Sequence, residues 1–200
     1  SNSSKKKILY EIEGTLKSGN LSSGKNVLKL ENYFKNKFNY KYAIACSSGG
    51  GALELIFNAL NLKNKDVLVP TNTFIATYNA IKFSGANPIL IDTGKNDLNI
   101  NLKEIKKKVT KKTKCICLVH VGSYIPSDIF EIVRWCKKKK IILIEDCAHC
   151  FNTSFKGIYA GNFGIAGAFS FFATKTVTGG EGGLVVTSNK SLFKKIQMLK

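Results

Sequence analysis

Three short segments of the chain carry residue types that together could bind an anion, hold a cation and attack a carbonyl group. The first is the loop Ser47-Ser48-Gly49-Gly50-Gly51, which lies between an apolar run and a helical pattern. A strand, a small flexible loop and a helix N-terminus favour an anion, because backbone N–H groups and the helix dipole point at it. The loop matches neither GxxxxGK(S/T) nor GxGxxG, so it predicts a phosphate site of another kind. For this loop alone, an ordinary tight turn is the alternative.

The other two segments supply an acid and a lysine. Asp146 directly follows the apolar run Ile141–Glu145. A buried acid is costly unless it meets a cation or hydrogen-bond donors, so Asp146 is a candidate partner for a cationic ligand atom. A cap or a structural ion pair is the alternative. Lys175 follows the run Ala168–Phe172 and precedes a glycine-rich stretch, away from the charged helix faces. A lysine withdrawn from water is a nucleophile that can form a Schiff base.

Together, the anion loop, the buried acid and the lysine match the needs of pyridoxal phosphate. The lysine would hold the aldehyde of this cofactor, the acid would keep its pyridine nitrogen protonated, and the loop would bind its phosphate. A protonated pyridine ring is an electron sink for a carbanion at the α-carbon of an amino acid. The three segments therefore predict a pyridoxal-phosphate site with Lys175 as its catalytic residue.

The elements that must position these residues alternate along the chain between apolar runs and amphipathic stretches. Most of the apolar runs are continuous, which is typical of strands covered on both faces. The alternation predicts an α/β fold with a mostly parallel open sheet and helices on both faces. Ligand sites in such sheets lie at the carboxyl ends of the strands, where all three segments fall. The predicted strands are Tyr42–Ala45, Val67–Val69, Pro88–Asp92, Cys115–Val119, Ile141–Glu145, Ala168–Phe172 and Gly183–Thr187.

The sequences of these segments and their order along the chain resemble the DegT/StrS family of pyridoxal-phosphate-dependent sugar aminotransferases, within the aspartate aminotransferase superfamily. The resemblance covers nearly the whole chain, and its most specific feature is Asp-x-x-His followed by Ser-x-x-x-x-Lys. The fold it implies is that of the large domain of such transferases. The matching segments are Leu21–Gly24, the Ser48-Gly49 loop, Pro70–Thr77, Val119-His120, Ile144–His149 and Phe169–Thr176 with the glycines after it.

By this resemblance, four residues would surround the cofactor ring. Lys175 would form the Schiff base and then move a proton between the substrate carbon and the cofactor carbon. Asp146 would pair with the pyridinium nitrogen, and Phe74 would stack on the ring face. His149 stands where the family has Gln or His near the ring.

The phosphate would be bound by Ser170 and the Ser48-Gly49-Gly50 loop, through the backbone N–H groups of Gly49 and Gly50. The family often has Thr or Ser where this chain has Gly50. The resemblance therefore implies that one phosphate hydrogen bond is absent and that the phosphate is bound less tightly.

The resemblance also implies a reaction and an assembly. An amino group from an amino acid, commonly glutamate, would pass to a keto group of a nucleotide-linked sugar, for amino-sugar or polysaccharide biosynthesis. Relatives with His in place of the lysine dehydrate sugars, so Lys175 favours transamination. Family members are homodimers and about twice as long as this chain, a size typical of two domains. We expect residues 1–40 to form an N-terminal arm and helix and residues 41–200 the pyridoxal-phosphate-binding large domain, with the small C-terminal domain absent.

The composition argues against several other classes of protein. With 200 residues, 44% of them hydrophobic, the chain is too apolar for a disordered tail. Apolar runs such as Ile141–Ile144 are too short to cross a membrane. The net charge of +18 comes from 31 basic residues of which only Arg134 is arginine, whereas nucleic-acid recognition favours arginine. We therefore expect solvated lysine runs, no nucleic-acid partner and no membrane insertion. Without a secretory signal we expect a cytoplasmic protein with free cysteines.

Two rival interpretations remain open. Cys147-x-x-Cys150 could bind zinc or cycle as a disulfide, with His149, His120 or the pair Cys115 and Cys117 adding ligands. No second CxxC exists, and neighbouring ligands of this kind rarely complete a tetrahedron, so we expect no metal site. The second rival is a non-catalytic protein or inactive fragment with the same fold.

Overall fold

A computed structural model describes residues 2–94 and 98–200. The helices in these ranges are α1 (Asn2–Ser18), α2 (Lys25–Phe38), α3 (Gly49–Leu60), α4 (Ile75–Phe83), α5 (Leu102–Lys108), α6 (Ile129–Lys139) and α7 (Lys190–Leu199). The strands are β1 (Tyr42–Cys46), β2 (Asp66–Pro70), β3 (Asn87–Ile91), β4 (Thr113–Val119), β5 (Ile142–Asp146), β6 (Ser154–Phe155), β7 (Ile158–Tyr159), β8 (Ala166–Ser170) and β9 (Gly183–Thr187).

Seven strands form one sheet in the order β1-β9-β8-β5-β4-β2-β3. Strand β9 runs antiparallel to both of its neighbours, and the other four pairings are parallel. This arrangement confirms the predicted α/β fold with a mostly parallel open sheet. It also brings the carboxyl ends of β1, β2, β4, β5 and β8 to one edge of the sheet.

Helices cover both faces of the sheet, because alternate residues of each buried strand point to opposite sides. Helices α3, α4 and α7 place Ile56, Ile81 and Ile196 on one face. Helices α2, α5 and α6 lie on the other face, where Phe34 of α2 contacts Phe169 and neighbouring rings edge-on. Among the described residues, no helix is both long and apolar enough to cross a membrane.

The strand bounds differ from the prediction in two places that matter for the site. The predicted strand Ala168–Phe172 is wrong by two residues, because β8 ends at Ser170. After Ser170 the Phe171 N–H bonds to the Gly182 carbonyl and the Phe172 N–H to the Ser170 hydroxyl, which turns the chain away from β5. Strand β5 includes Asp146 as its last residue instead of ending at Glu145.

The small hairpin β6–β7 was not predicted from the sequence. The division into an arm of residues 1–40 and a domain of residues 41–200 stays a prediction. The structure adds that Phe34 and Phe38 of α2 lie in the same buried cluster as the sheet, whereas α1 leaves Ile8 and Tyr10 exposed.

Candidate functional site

A cavity of about 490 Å³ opens at the carboxyl edge of the sheet. Each wall comes from a loop that follows a different strand, so residues far apart in sequence meet there. The sheet topology thus brings together all of the sequence-predicted site residues. They are Ser48, Gly49, Gly50, Phe74, Asp146, His149, Ser170 and Lys175.

One end of the cavity is built from the N-terminus of α3 and the end of β8. The Ser48 side chain caps α3 by accepting a hydrogen bond from Gly51 N at 3.0 Å. A Cβ atom on Gly49 would lie 2.7 Å from the Ser170 Cβ, so this close approach of helix and strand requires glycine. Gly50 is different, since a Cβ atom there would lie 3.5 Å from Ala76 Cβ in ordinary contact. The helix start and the Ser170 hydroxyl are therefore adjacent donors for an anion.

The acid of the site is fixed by two donors. Asp146 is 5% exposed. Its Oδ2 accepts a hydrogen bond of 2.7 Å from Thr77 Oγ1, and its Oδ1 accepts one of 3.0 Å from Ala148 N. Thr73 Oγ1 donates in turn to Thr77 Oγ1 at 2.8 Å. The carboxylate is thus held in place and can accept a further hydrogen bond from a cationic group in the cavity.

His149 lies three residues after Asp146 in the cavity wall. Its Nδ1 accepts a hydrogen bond from Gly122 N at 3.2 Å, and Ser123 Oγ donates to its backbone carbonyl. Burial, together with the nearby Lys175 charge, lowers the pKa of His149 below its ordinary value. The neutral ring therefore carries its proton on Nε2, which makes Nε2 a hydrogen-bond donor.

Lys175 and two aromatic residues complete the cavity. Lys175 is half-buried, in a loop in which its backbone N–H bonds to the Phe172 carbonyl at 2.9 Å. Phe74, the residue before α4, leaves 78% of its surface exposed, and Phe172 leaves 44% exposed. A cavity lined by an apolar ring, a carboxylate, an amine and anion donors suits an aromatic ligand that carries an anion.

Sequence reasoning missed three contributors to the site. Thr77 was quoted only within a matching segment, although it lies in the first turn of α4, four residues after Thr73 in the loop that precedes the helix. Glu145 was counted as a strand residue, although an acid inside an apolar run already indicates buried partners. His120 was quoted within a matching segment and considered as a possible metal ligand, with no role in the site. It is buried and hydrogen-bonded to Glu145.

The Cys147-x-x-Cys150 segment does not assemble the zinc site considered above. The six cysteines are free thiols, and burial raises the pKa of Cys147, whereas its hydrogen bond to Cys150 lowers the pKa of Cys150. Within residues 2–94 and 98–200, the group that comes together is His120, Glu145 and Cys147, with ligand atoms within 4.8 Å of one another. The Glu145 oxygens are already engaged in four hydrogen bonds, so this group does not suit a metal ion.

Comparison with known proteins shows which family the chain resembles. The model of the DegT/DnrJ/EryC1/StrS aminotransferase family matches residues 2–200. GDP-perosamine synthase of Escherichia coli O157:H7 is 42% identical over 175 residues, which is 87% of this chain and 48% of that protein. The chain thus spans about half the length of the curated relatives it matches.

Two solved structures have a similar fold. The aminotransferase from Psychrobacter cryohalolentis superposes with a TM-score of 0.88 and is 33% identical, over 93% of this chain and 48% of that one. The Escherichia coli GDP-4-keto-6-deoxy-D-mannose-3-dehydratase with bound hydrated PLP has a TM-score of 0.86 and is 30% identical, over 93% of this chain and 49% of that one.

Proposed function

The chain belongs to the DegT/DnrJ/EryC1/StrS aminotransferase family, and we propose that its cavity binds pyridoxal phosphate and takes part in amino-group transfer. The amino group would pass from an amino acid, glutamate in the first instance, to the keto group of a nucleotide-linked sugar. One observation carries this proposal: Lys175, Asp146 and the α3 N-terminus line the same cavity. A GDP-linked keto sugar is the substrate of choice, because a GDP-perosamine synthase is 42% identical to this chain.

The residues present fit the cofactor at both of its ends. The approach of Gly49 to Ser170 sets helix N–H groups beside a hydroxyl, which suits the phosphate. Asp146, in the same cavity, is a buried side chain whose two oxygens each accept one hydrogen bond and can accept a further one from a protonated ring nitrogen. Gly50 leaves room for a side chain but offers no hydroxyl, so the phosphate is held by fewer side-chain donors than in relatives with Thr or Ser there.

When bound, pyridoxal phosphate supplies an electron sink for the electrons released at the α-carbon of the amino donor. Lys175 Nζ would hold the aldehyde carbon of the cofactor and, as a free amine, would carry the proton of the donor α-carbon to the cofactor carbon. Asp146 would hold the proton on the ring nitrogen, and His149 Nε2 would be available as a hydrogen-bond donor beside the ring.

The assembly and location of the protein are further parts of this proposal. We propose a homodimer, as the family resemblance implies; the open, apolar rim at Phe74 and Phe172 supports it. We propose the cytoplasm as the location, since six free thiols suit a reducing compartment.

The decisive experiment traps the cofactor on its lysine. The chain is mixed with less than one equivalent of pyridoxal phosphate, reduced with borohydride, digested and mapped by mass spectrometry. We expect a visible absorption band from the Schiff base and one dominant modified peptide that contains Lys175.

The controls exploit the many other lysines of the chain. Lys175→Ala and Lys175→Arg should both lose the band, since neither side chain can bind the aldehyde. Lys82→Ala, at an exposed position of α4, should retain it. Modification spread evenly over surface lysines, with no preference for Lys175, would contradict the proposal. If the unaltered chain shows the absorption band, an assay of glutamate-dependent amination of a GDP-linked keto sugar then tests the substrate class.

A further inference from the structure

At the cavity wall, His120 forms a pair with a second acid, Glu145, that the proposed chemistry does not use. His120 is 1% exposed and Glu145 is fully buried. Nε2 of His120 lies 2.9 Å from Oε2 of Glu145. His120 follows β4 and Glu145 lies on the adjacent strand β5, so the pair bridges the two strands next to the cavity.

Glu145 is surrounded by donors. Its Oε1 accepts hydrogen bonds from Phe163 N at 2.7 Å and Gly164 N at 2.6 Å. Its Oε2 accepts one of 2.7 Å from Gly161 N and faces His120 Nε2. Three N–H groups on a carboxyl group favour its ionised form, which is acceptor-only. The Glu145 side chain is therefore a carboxylate, and His120 Nε2 is a donor to it.

Glu145 and Asp146 are consecutive strand residues, so their side chains lie on opposite faces of the sheet. The two side chains nevertheless belong to adjacent residues in a buried region, and neighbouring like charges disfavour each other's ionisation. The His120 ring bonds to the Glu145 carboxylate, and the His120 backbone N–H bonds to the backbone carbonyl of Asp146 at 3.1 Å, which holds the ring next to the end of β5. Among the described residues, Glu145 has no ion-pair partner besides His120.

We infer that His120 is a positioning residue: as an imidazolium bound to Glu145, it balances that carboxylate and so keeps the neighbouring Asp146 ionised in the cavity. The inference rests on the proposed function in one respect: an ionised Asp146 is useful because it would hold a proton on the ring nitrogen of the ligand. Its first tests need no cofactor.

Nδ1 of His120 is buried and has no hydrogen-bond partner among the described residues, so the charge of the ring depends on its contact with Glu145. Burial by itself lowers the pKa of His120, but the hydrogen bond and charge of Glu145 outweigh burial and raise the pKa above its ordinary value. The other titratable groups that face the pair are Asp146 at the end of β5, Cys147 and Cys150 in the loop after it, and Tyr40 between α2 and β1. Each of these is neutral or anionic, so His120 is the cation of this group.

The first test follows the protonation of Asp146 in the cofactor-free chain. Aspartate carboxyl carbons are labelled with ¹³C, and the signal of Asp146, one of five aspartates, is assigned with Asp146→Asn. In His120→Gln the amide keeps a donor towards Glu145 but has no charge. We expect the Asp146 signal to begin its protonation shift about one pH unit higher in this variant, a tenfold change in proton affinity. An unchanged Asp146 signal in folded His120→Gln overturns the inference.

The second test uses the unaltered protein, so it stands even where His120→Gln does not fold. The ring ¹⁵N signals of His120 at neutral pH must be those of an imidazolium, with Nε2 and Nδ1 both protonated. A ring that is neutral at pH 7 overturns the inference.

The third test uses the pH dependence of unfolding, with the second histidine as control. Because the pKa of His120 is raised, the stability that its charge contributes is complete below about pH 6.5 and is lost as pH rises through the folded-state pKa. We expect the excess stability of wild type over His120→Gln to shrink towards alkaline pH. His149→Gln should show the opposite trend, since a lowered pKa makes protonation of His149 unfavourable in the folded state. A pH-independent difference for His120→Gln contradicts the inference.

The outcomes separate the two proposals. If these three results hold but no cofactor is trapped on Lys175, the proposed function fails and the role of His120 towards Asp146 stands. If the cofactor is trapped, His120→Gln should weaken its binding increasingly as pH falls through the range in which the first test finds Asp146 of the variant protonated, by up to about tenfold. Equal dissociation constants for wild type and variant across that range would overturn the inference.

Discussion

Gly183 shows how closely single residues constrain the anion end of the site. It is the first residue of β9 and pairs with Cys46 on one side and Ser170 on the other. A Cβ atom at this position would lie 2.0 Å from the Ser48 carbonyl oxygen, which is backbone and cannot rotate away. We expect Gly183→Ala to lower the free energy of unfolding by about 1–3 kcal/mol or more, since the anion loop must shift. Urea denaturation measures the change.

A matched control is Gly14→Ala on α1, where nothing lies within 4 Å of the added carbon. That change should be neutral or slightly stabilising, because alanine favours a helix by about 1 kcal/mol over glycine. If Gly183→Ala were as stable as wild type, the loop would have to lie further from β9 than the structure places it.

For single residues, the sequence predicted the site residues that lie at the ends of strands. It did not predict the contacts that are made by backbone N–H groups. Ser48, Asp146 and Ser170 each follow or end an apolar run, and the carboxyl ends of parallel strands meet at one edge. The partners of Glu145 in the turn at residues 161–164 are backbone N–H groups, which every residue type except proline can supply. No residue type in that turn, apart from its glycines, indicates the contact.

At the scale of elements, apolar runs located each strand of the main sheet, but hydrogen bonding decided where the strand ends. The apolar run of β8 continues to Phe172, yet the ladder stops at Ser170 because Phe171 N–H turns to the Gly182 carbonyl. The antiparallel insertion of β9 between β1 and β8 has no signature in hydrophobic pattern, since a buried strand reads the same in either direction. The direction of a strand and its place in the sheet depend on which strands pair, and the hydrophobic periodicity of the sequence does not show this pairing.

Helix α7 allows a test of an element's start. Its first turn is capped by Asn189, whose side-chain oxygen accepts a hydrogen bond from Leu192 N at 2.9 Å. The helix buries Leu192 and Ile196 against the sheet face that carries α3. We expect Asn189→Ala to cost about 1 kcal/mol of unfolding free energy, because one helix donor loses its partner. Ser191→Ala, an exposed position in the same helix, should cost much less. Equal losses in the two variants would show that the cap contributes nothing.

For the whole molecule, charge is the property that stands apart from the fold. The chain carries 31 basic and 13 acidic residues, a net charge of +18. In the described ranges, the ion pairs of lysines with acids are Lys17–Glu13, Lys107–Glu104 and the longer Lys200–Glu31. The amino edge of the sheet, opposite the cavity, exposes lysines on the segments that precede β2, β4 and β5, among them Lys63, Lys65 and Lys112. These like charges repel one another in the folded state more than in the expanded unfolded chain.

Screening of this repulsion should therefore stabilise the protein. The Debye length falls from about 30 Å at 0.01 M salt to about 10 Å at 0.1 M. We expect Tm to rise as sodium chloride is added over this range, by about 2–4 °C for each kcal/mol of repulsion that is screened. Chloride is used because sulfate or phosphate could bind at the α3 N-terminus and stabilise the fold by a separate route. Replacement of Lys63, Lys65 and Lys112 by Gln should raise Tm at low salt and reduce the response to salt. A Tm that falls with sodium chloride would mean that attractive charge pairs outweigh the excess of lysine.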